Sequence, residues 1–255
     1  MSCGTSGDTV FIPLAETDKF RFRCHKGISC FTQCCAGLNL LLTPYDIVRL
    51  KSRLGMSSDE FIERYTEPKM DEPYVWPVIR LLMKDDQRKS CPFVTSEGCT
   101  VYEDRPGACR IYPLGRASMT PDRGGVREKF FLVKEPHCKG FEEDREWDAR
   151  EWMASEGVDL YNSMNDSWLR ILTNRTPVGP KEAAARKHAM FFMASYNLDR
   201  FRDFVFKSSF LDRFHVDPAT REAIASDDTA LMTFAFDWLR FSLFGEQTMS
   251  TRDPS

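Results

Sequence analysis

The 255-residue sequence contains no apolar run of about 18 residues, the length a helix needs to cross a bilayer, so no membrane span is expected. Its opening, MSCGTSGDTVFIPLAETDKF, has no basic stretch leading into an apolar one. No secretory signal is read there, and a cytoplasmic protein is expected. An excess of one charge is also lacking: 35 Lys and Arg stand against 38 Asp and Glu, for a net charge of −3. That balance offers no basic field for nucleic acid, and none is expected as a partner. With 42% apolar residues and 20 Phe the chain is too hydrophobic to be disordered. G-x-S-x-G, G-x-x-x-x-G-K, G-x-G-x-x-G and H-E-x-x-H are all missing, which leaves hydrolase, P-loop, dinucleotide and zincin readings without a motif. No internal repeat and no low-complexity segment is present.

Cysteine is abundant but one-sided. Of nine, eight (Cys24, Cys30, Cys34, Cys35, Cys91, Cys99, Cys109 and Cys138) fall in one stretch, and none follows Cys138. In a reducing compartment structural disulfides are rare, so the pattern points to metal or redox chemistry. The first cluster is a C-x5-C-x3-C-C run, FRCHKGISCFTQCC. Thiolates bind zinc tetrahedrally or hold iron–sulfur clusters, and a cation is what makes gathering several of them tolerable. Cys34 and Cys35, being adjacent, point to opposite sides of an extended chain; they suit a polynuclear centre or two neighbouring sites better than one ion. In CPFVTSEGCTVYEDRPGACRIYPL, a turn at Glu97-Gly98 brings Cys91 near Cys99, and Pro106 starts a helical turn carrying Cys109. Zinc-ribbon, bacterial ferredoxin and radical-SAM spacings do not fit. Cys3 is expected to be a disordered terminal residue.

The remaining pattern predicts an α+β protein: a 1–19 extension, a cysteine-rich module over 20–140, a helical Phe-rich domain over 141–248 and a frayed tail over 249–255. LTPYDIVRLKSRLG reads as a helix with Thr43 as N-cap, Pro44 in the first turn and Gly55 as stop; Ser57 and Glu60 have capping-box spacing. VWPVIRLLMK is strand-like, with Pro77 arguing for an edge. A hairpin through Gly124 and Gly125 joins IYPLGRASM to REKFFLVK. EEDREWDARE is expected as a solvated helix face with Trp147 turned inward. Tyr161, Met164, Trp168 and Ile171/Leu172 form one helical stripe, Asn197 and Asp217 are N-caps, and the helix ending at Gly245 is apolar on more than one face, hence central. Most Phe beyond residue 140 are core by default.

The N-terminal cluster ending in Cys34-Cys35, LTPYDIVRL, CPF with Gly98-Cys99, VYEDRP and CRIYPL, taken in that order over roughly residues 20 to 140, resemble the YkgJ-type or CxxCxxCC-type cysteine-cluster family of zinc- or iron-chelating proteins. The resemblance implies Cys24, Cys30, Cys34, Cys35, Cys91, Cys99, Cys109 and Cys138 as metal ligands, in two four-cysteine sites or one cluster with cysteines to spare. The five residues between Cys24 and Cys30, where the family more commonly has two, are similar to the flagellin lysine-N-methylase branch. That branch is associated with a [4Fe–4S] cluster and S-adenosylmethionine. The present chain is much shorter, so the methylase activity is not carried over.

Arg105 and Arg110 bracket Cys109 and are candidate cofactor-binding residues: guanidinium beside thiolate relieves concentrated negative charge or takes an incoming anion. A surface salt bridge with Glu103 or Asp104 is an equal alternative. His25 and His137 adjoin motif cysteines, as ligands or, more plainly, as solvated neighbours; His188 and His215 are expected to be structural or surface residues. Tyr102 and Tyr112 are expected to shield the centre. The expected function is chelation of iron, as an iron–sulfur cluster, or of zinc, in support of redox or group-transfer chemistry on a protein substrate. If the protein is an enzyme, it is an iron–sulfur-dependent oxidoreductase or transferase. The alternatives are a structural-zinc interaction module and a metal carrier or maturation factor.

Overall fold

The structure, a computed structural model, describes residues 9–252 apart from 16, 71 and 120–126. It is α+β, with short antiparallel sheets and ten α-helices among the described residues. The chain divides into two compact units, Met1–Leu38 with Met83–Leu160, and Asn39–Leu82 with Tyr161–Ser255. The cysteine asymmetry suggests a boundary near residue 140. Instead the division interleaves the chain, because residues 39–82 carry no cysteine and bury their apolar stripe with the C-terminal helices.

In the first unit Arg127–Lys134 is the central strand of a three-stranded sheet, flanked by Val10–Leu14 and Leu114–Met119. Part of the 1–19 extension is therefore a strand of the sheet. The expected hairpin pairing is present, with Leu114 opposite Leu132, while its turn at Gly124 and Gly125 lies outside the described residues, as does Cys3. Alternate residues Leu114, Phe130 and Leu132 face a core completed by Phe20, Phe22, Trp152 and Met153. The helix expected around Trp147 starts later: Glu146–Trp147 is a strand paired with Phe20–Arg21, and the helix begins only at Ala149, after Asp148 caps it, while Trp147 does turn inward, half-buried against this core. The Trp147 indole N–H donates to the Phe22 carbonyl at 2.9 Å, a partner far away in sequence that outweighs local helix preference.

The second unit begins with helix Pro44–Leu54, where Thr43 and Asp46 form a reciprocal capping box and Gly55 closes the end at φ 64°. Left-handed backbone of that kind favours glycine. Helix Ser58–Tyr65 carries the Ser57/Glu60 box. Val78–Leu81 is the middle strand between Leu41–Leu42 and Thr66–Lys69, not an edge. Pro77 stands just ahead of the strand, so its missing N–H removes no ladder bond there. Helices Val158–Leu172, which starts in the first unit, Lys181–Tyr196, Leu198–Lys207, Pro218–Ser226 and Asp228–Phe244 follow, with Asn197 and Asp217 as caps. The last of these buries Leu231, Met232, Ala235, Phe236, Trp238, Leu239 and Leu243, as expected for a central helix. Lys51 is buried with its ammonium 2.7 Å from the Asp228 carboxylate and 3.4 Å from that of Asp199. The tail is not wholly frayed: Ser250–Thr251 pairs with Phe214–His215. No described helix is long and apolar enough to cross a membrane.

Candidate metal centre

All eight cysteines from Cys24 to Cys138 fall in the first unit, and each is a free thiol. Cys30 is buried, Cys24 is exposed and the others are intermediate. Two backbone scaffolds present them. In the first, the N–H of Phe22 donates to the Arg145 carbonyl at 2.9 Å and that of Arg23 to the Gly140 carbonyl at 3.0 Å, laying the segment that leads into Cys24 along 138–145. The Lys139 N–H donates to the Cys30 sulfur at 3.2 Å, and the Gln33 N–H to the Cys30 carbonyl at 2.9 Å. Cys138 packs against the Phe20/Phe22/Trp152 core. Gly140 permits the close approach, since a Cβ there would meet the Phe22 ring at 2.5 Å.

In the second scaffold the Cys91 N–H donates to the Cys35 carbonyl at 2.8 Å, and Ala36 bridges Ser90. Val94–Thr95 pairs with Gly98–Cys99, so Cys99 ends one small hairpin, and Cys91 stands just ahead of its first strand, its carbonyl accepting from the Val94 N–H at 3.2 Å. Cys109 rides on helix Gly107–Ile111, which Pro106 precedes. Cys34 and Cys35 sit in the 3-10 turn Gln33–Cys35 and not in extended chain.

The thiols feel one another. Crowding of its sulfur by protein, followed by the charges of Cys34, Cys30 and Cys138, pushes Cys24 up to about 11, with Arg105 opposing. Burial raises Cys138, where Tyr112 and the Gly140 backbone oppose it and Cys30 and Cys34 add to it. Burial likewise raises Cys91, helped by Cys99, and raises Cys99. The adjacent thiols of Cys34 and Cys35 share a proton unequally: Cys35, as donor, lowers Cys34 and is itself raised, by burial and by Cys91 and Cys109 as well. The buried Tyr112 hydroxyl makes no hydrogen bond of normal geometry, and burial, then Cys138, holds its proton on.

Arg105 is buried, stacks over the Tyr102 ring at 3.9 Å, donates to the Tyr102 carbonyl at 2.8 Å and pairs with Glu156. Arg110 donates to the carbonyls of Glu156 at 2.7 Å and Glu103 at 2.5 Å. Glu156, on helix Ala149–Glu156, is the partner that local sequence did not suggest for Arg105, because the two stand 51 positions apart. His25 is held by Glu143 at 3.2 Å and by the Gly27 N–H, and His137 lies 3.7 Å from Glu135. In the helical unit a groove of about 270 Å³ is lined mainly by polar side chains, with Phe236 its one phenylalanine.

Among the described residues no three His, Cys, Asp or Glu side chains are already arranged to hold one ion. The donor chemistry nonetheless fits a metal: free thiols set close enough to raise one another, a backbone N–H on Cys30, and an orphaned Tyr112 hydroxyl beside Cys138 able to donate to a thiolate. These features define a thiolate-rich metal-chelating module. Residues 23–139, a little under half of the chain, match the family model CxxCxxCC, described as "Putative zinc- or iron-chelating domain". No curated protein and no solved structure matches the chain.

Proposed function

We propose that the cysteine module holds iron as an iron–sulfur centre, through thiolates drawn from Cys24, Cys30, Cys34, Cys35, Cys91, Cys99, Cys109 and Cys138. The observation that carries this reading is the gathering of all eight cysteines in one compact unit with no disulfide among them, where Cys24, Cys35, Cys91, Cys99 and Cys138 are raised by burial and by neighbouring groups. Near neutral pH such raised thiols keep their protons until a cation displaces them. Iron–sulfur is placed ahead of zinc because Cys34 and Cys35 interact directly, an arrangement a polynuclear centre uses more readily than a single tetrahedral ion. The Lys139 N–H on Cys30 supplies the type of sulfur hydrogen bond that sets a cluster's potential.

A bound cluster would supply one-electron chemistry. This chain's residues would bind it, and Phe22, Phe141 and Trp152, packed edge to face, would limit water on the core side. Arg105 is read as a charge-relieving neighbour of Cys24 and Cys99, its hydrogen bonds already taken by Tyr102 and Glu156. The reading ends at the metal centre: S-adenosylmethionine, a protein substrate and methyl transfer have no residue assigned to them in this chain. Zinc is the second reading, since the family description names zinc beside iron and four thiolates are a complete ligand set for a tetrahedral zinc ion. Anaerobic purification with counting of iron, acid-labile sulfide and zinc separates the two.

A further inference from the structure

We infer that helix Ala149–Glu156, which lies beyond the residues that match the family model, positions Cys109, with Glu156 as the positioning residue that holds the arginines on either side of it. The consequence for a metal centre rests on the reading of Cys109 as a ligand; the positioning itself is a property of the chain.

Cys109 sits on Gly107–Ile111, a helix of five residues. So short a helix is marginal by itself, and its last carbonyls have no partner within it. Helix Ala149–Glu156 supplies what is missing. The Trp152 indole N–H donates to the Ile111 carbonyl at 2.9 Å. Trp152 is itself buried, its ring edge to face with those of Phe20, Phe22 and Trp147, so this partner is fixed in the core. Arg110, next to Cys109, donates to the Glu156 carbonyl at 2.7 Å and to the Glu103 carbonyl at 2.5 Å. Arg105, four residues before Cys109 and buried, pairs with the Glu156 carboxylate and donates to the Tyr102 carbonyl at 2.8 Å.

A helix C-terminus has unpaired carbonyls and the negative end of the helix dipole, both of which favour cations. Glu156 is the last residue of its helix, before Gly157 turns the chain at φ 63°. One guanidinium therefore meets its carbonyl and the other its carboxylate. Cys109 lies between these two anchors and just ahead of the third, at Ile111. Arg105 and Arg110 thus act as fastenings of the cysteine loop.

Iodoacetamide applied to the full-length chain, as purified anaerobically, tests this when alkylation is followed cysteine by cysteine by peptide mass spectrometry. In Glu156→Ala, Cys109 should react about tenfold faster, the change that about 1.4 kcal/mol of lost local stability produces. Cys91, fastened instead to the Cys35 carbonyl, should keep its rate. Glu156→Gln, whose side-chain carbonyl still accepts from Arg105, should keep Cys109 slow. Trp152→Phe leaves an aromatic ring in the core and removes the bond to Ile111, so it makes the same test should E156A fail to fold, which circular dichroism reports. An unchanged Cys109 rate in whichever of E156A and W152F folds, or equal acceleration of Cys91 and Cys109, would overturn the positioning. The metal content of the same preparations keeps the two readings apart. A chain that holds no metal, yet whose Cys109 is freed by E156A, upholds the positioning and overturns the reading of Cys109 as a ligand.

Discussion

The Lys139 amide donates its proton to the Cys30 sulfur over 3.2 Å, joining positions 109 apart in sequence. That contact ties the first cysteine cluster to the last cysteine of the module, and it depends on how closely the chain passes at residues 138–140. A Gly140→Ala substitution would set a Cβ 2.5 Å from the Phe22 ring, which is itself core. Overpacking of this kind costs about 1–3 kcal/mol. The expected outcome is a lower denaturation midpoint together with reduced metal content; unchanged values for both would refute the close packing at Gly140.

Metal binding should fall steeply in acid. Cys24, Cys91, Cys99 and Cys138 hold their protons above the ordinary thiol range, so a metal must displace them. A site of four protonated thiols loses up to about 10⁴ in apparent affinity per pH unit lowered. Chelator competition between pH 6.5 and 8.5, with proton release followed in weak buffer, checks this directly. A pH-independent affinity would mean that the ligands are not these thiols.

The metal-free chain should respond to base in the opposite sense. The folded Cys24 value of about 11 lies above the ordinary 9.0, so on raising the pH the unfolded chain ionises first. Its stability contribution is intact below pH 9 and is lost between 9 and 11. Denaturation of the metal-free chain across that window should show falling stability, and Cys24→Ser should lessen the fall.

Lys51 is the buried cation of the helical unit, facing Asp228 and Asp199, which Arg202 also contacts at its rim. Removing one member of a buried pair costs about 3–5 kcal/mol. With Arg202 left to neutralise the carboxylates, Lys51→Ala is expected near the lower end of that range. Thermal denaturation measures it, and a loss under about 0.5 kcal/mol, the size of a surface change, would show that the pair contributes little.

Features set by near neighbours are legible in the sequence. The Thr43 and Ser57 boxes, the Asn197 and Asp217 caps and the stops at Gly55 and Gly245 each depend on a few consecutive residues. So does the hairpin Val94–Cys99. What local pattern does not carry is non-local. Trp147 is a strand residue because Phe20–Arg21 offers it a ladder partner. Val78–Leu81 is central because strands on both sides are supplied from other parts of the chain. The cysteine identities announce a metal, whereas the choice of partners for each cysteine depends on Lys139 meeting Cys30 and Cys91 meeting Cys35.

The central claim is that these cysteines hold an iron–sulfur centre, and the most direct test counts iron and acid-labile sulfide per chain after anaerobic purification, alongside the visible spectrum. The account predicts iron and sulfide in matching amounts with a broad charge-transfer absorption. A colourless protein holding zinc, or a folded chain holding no metal, would contradict it.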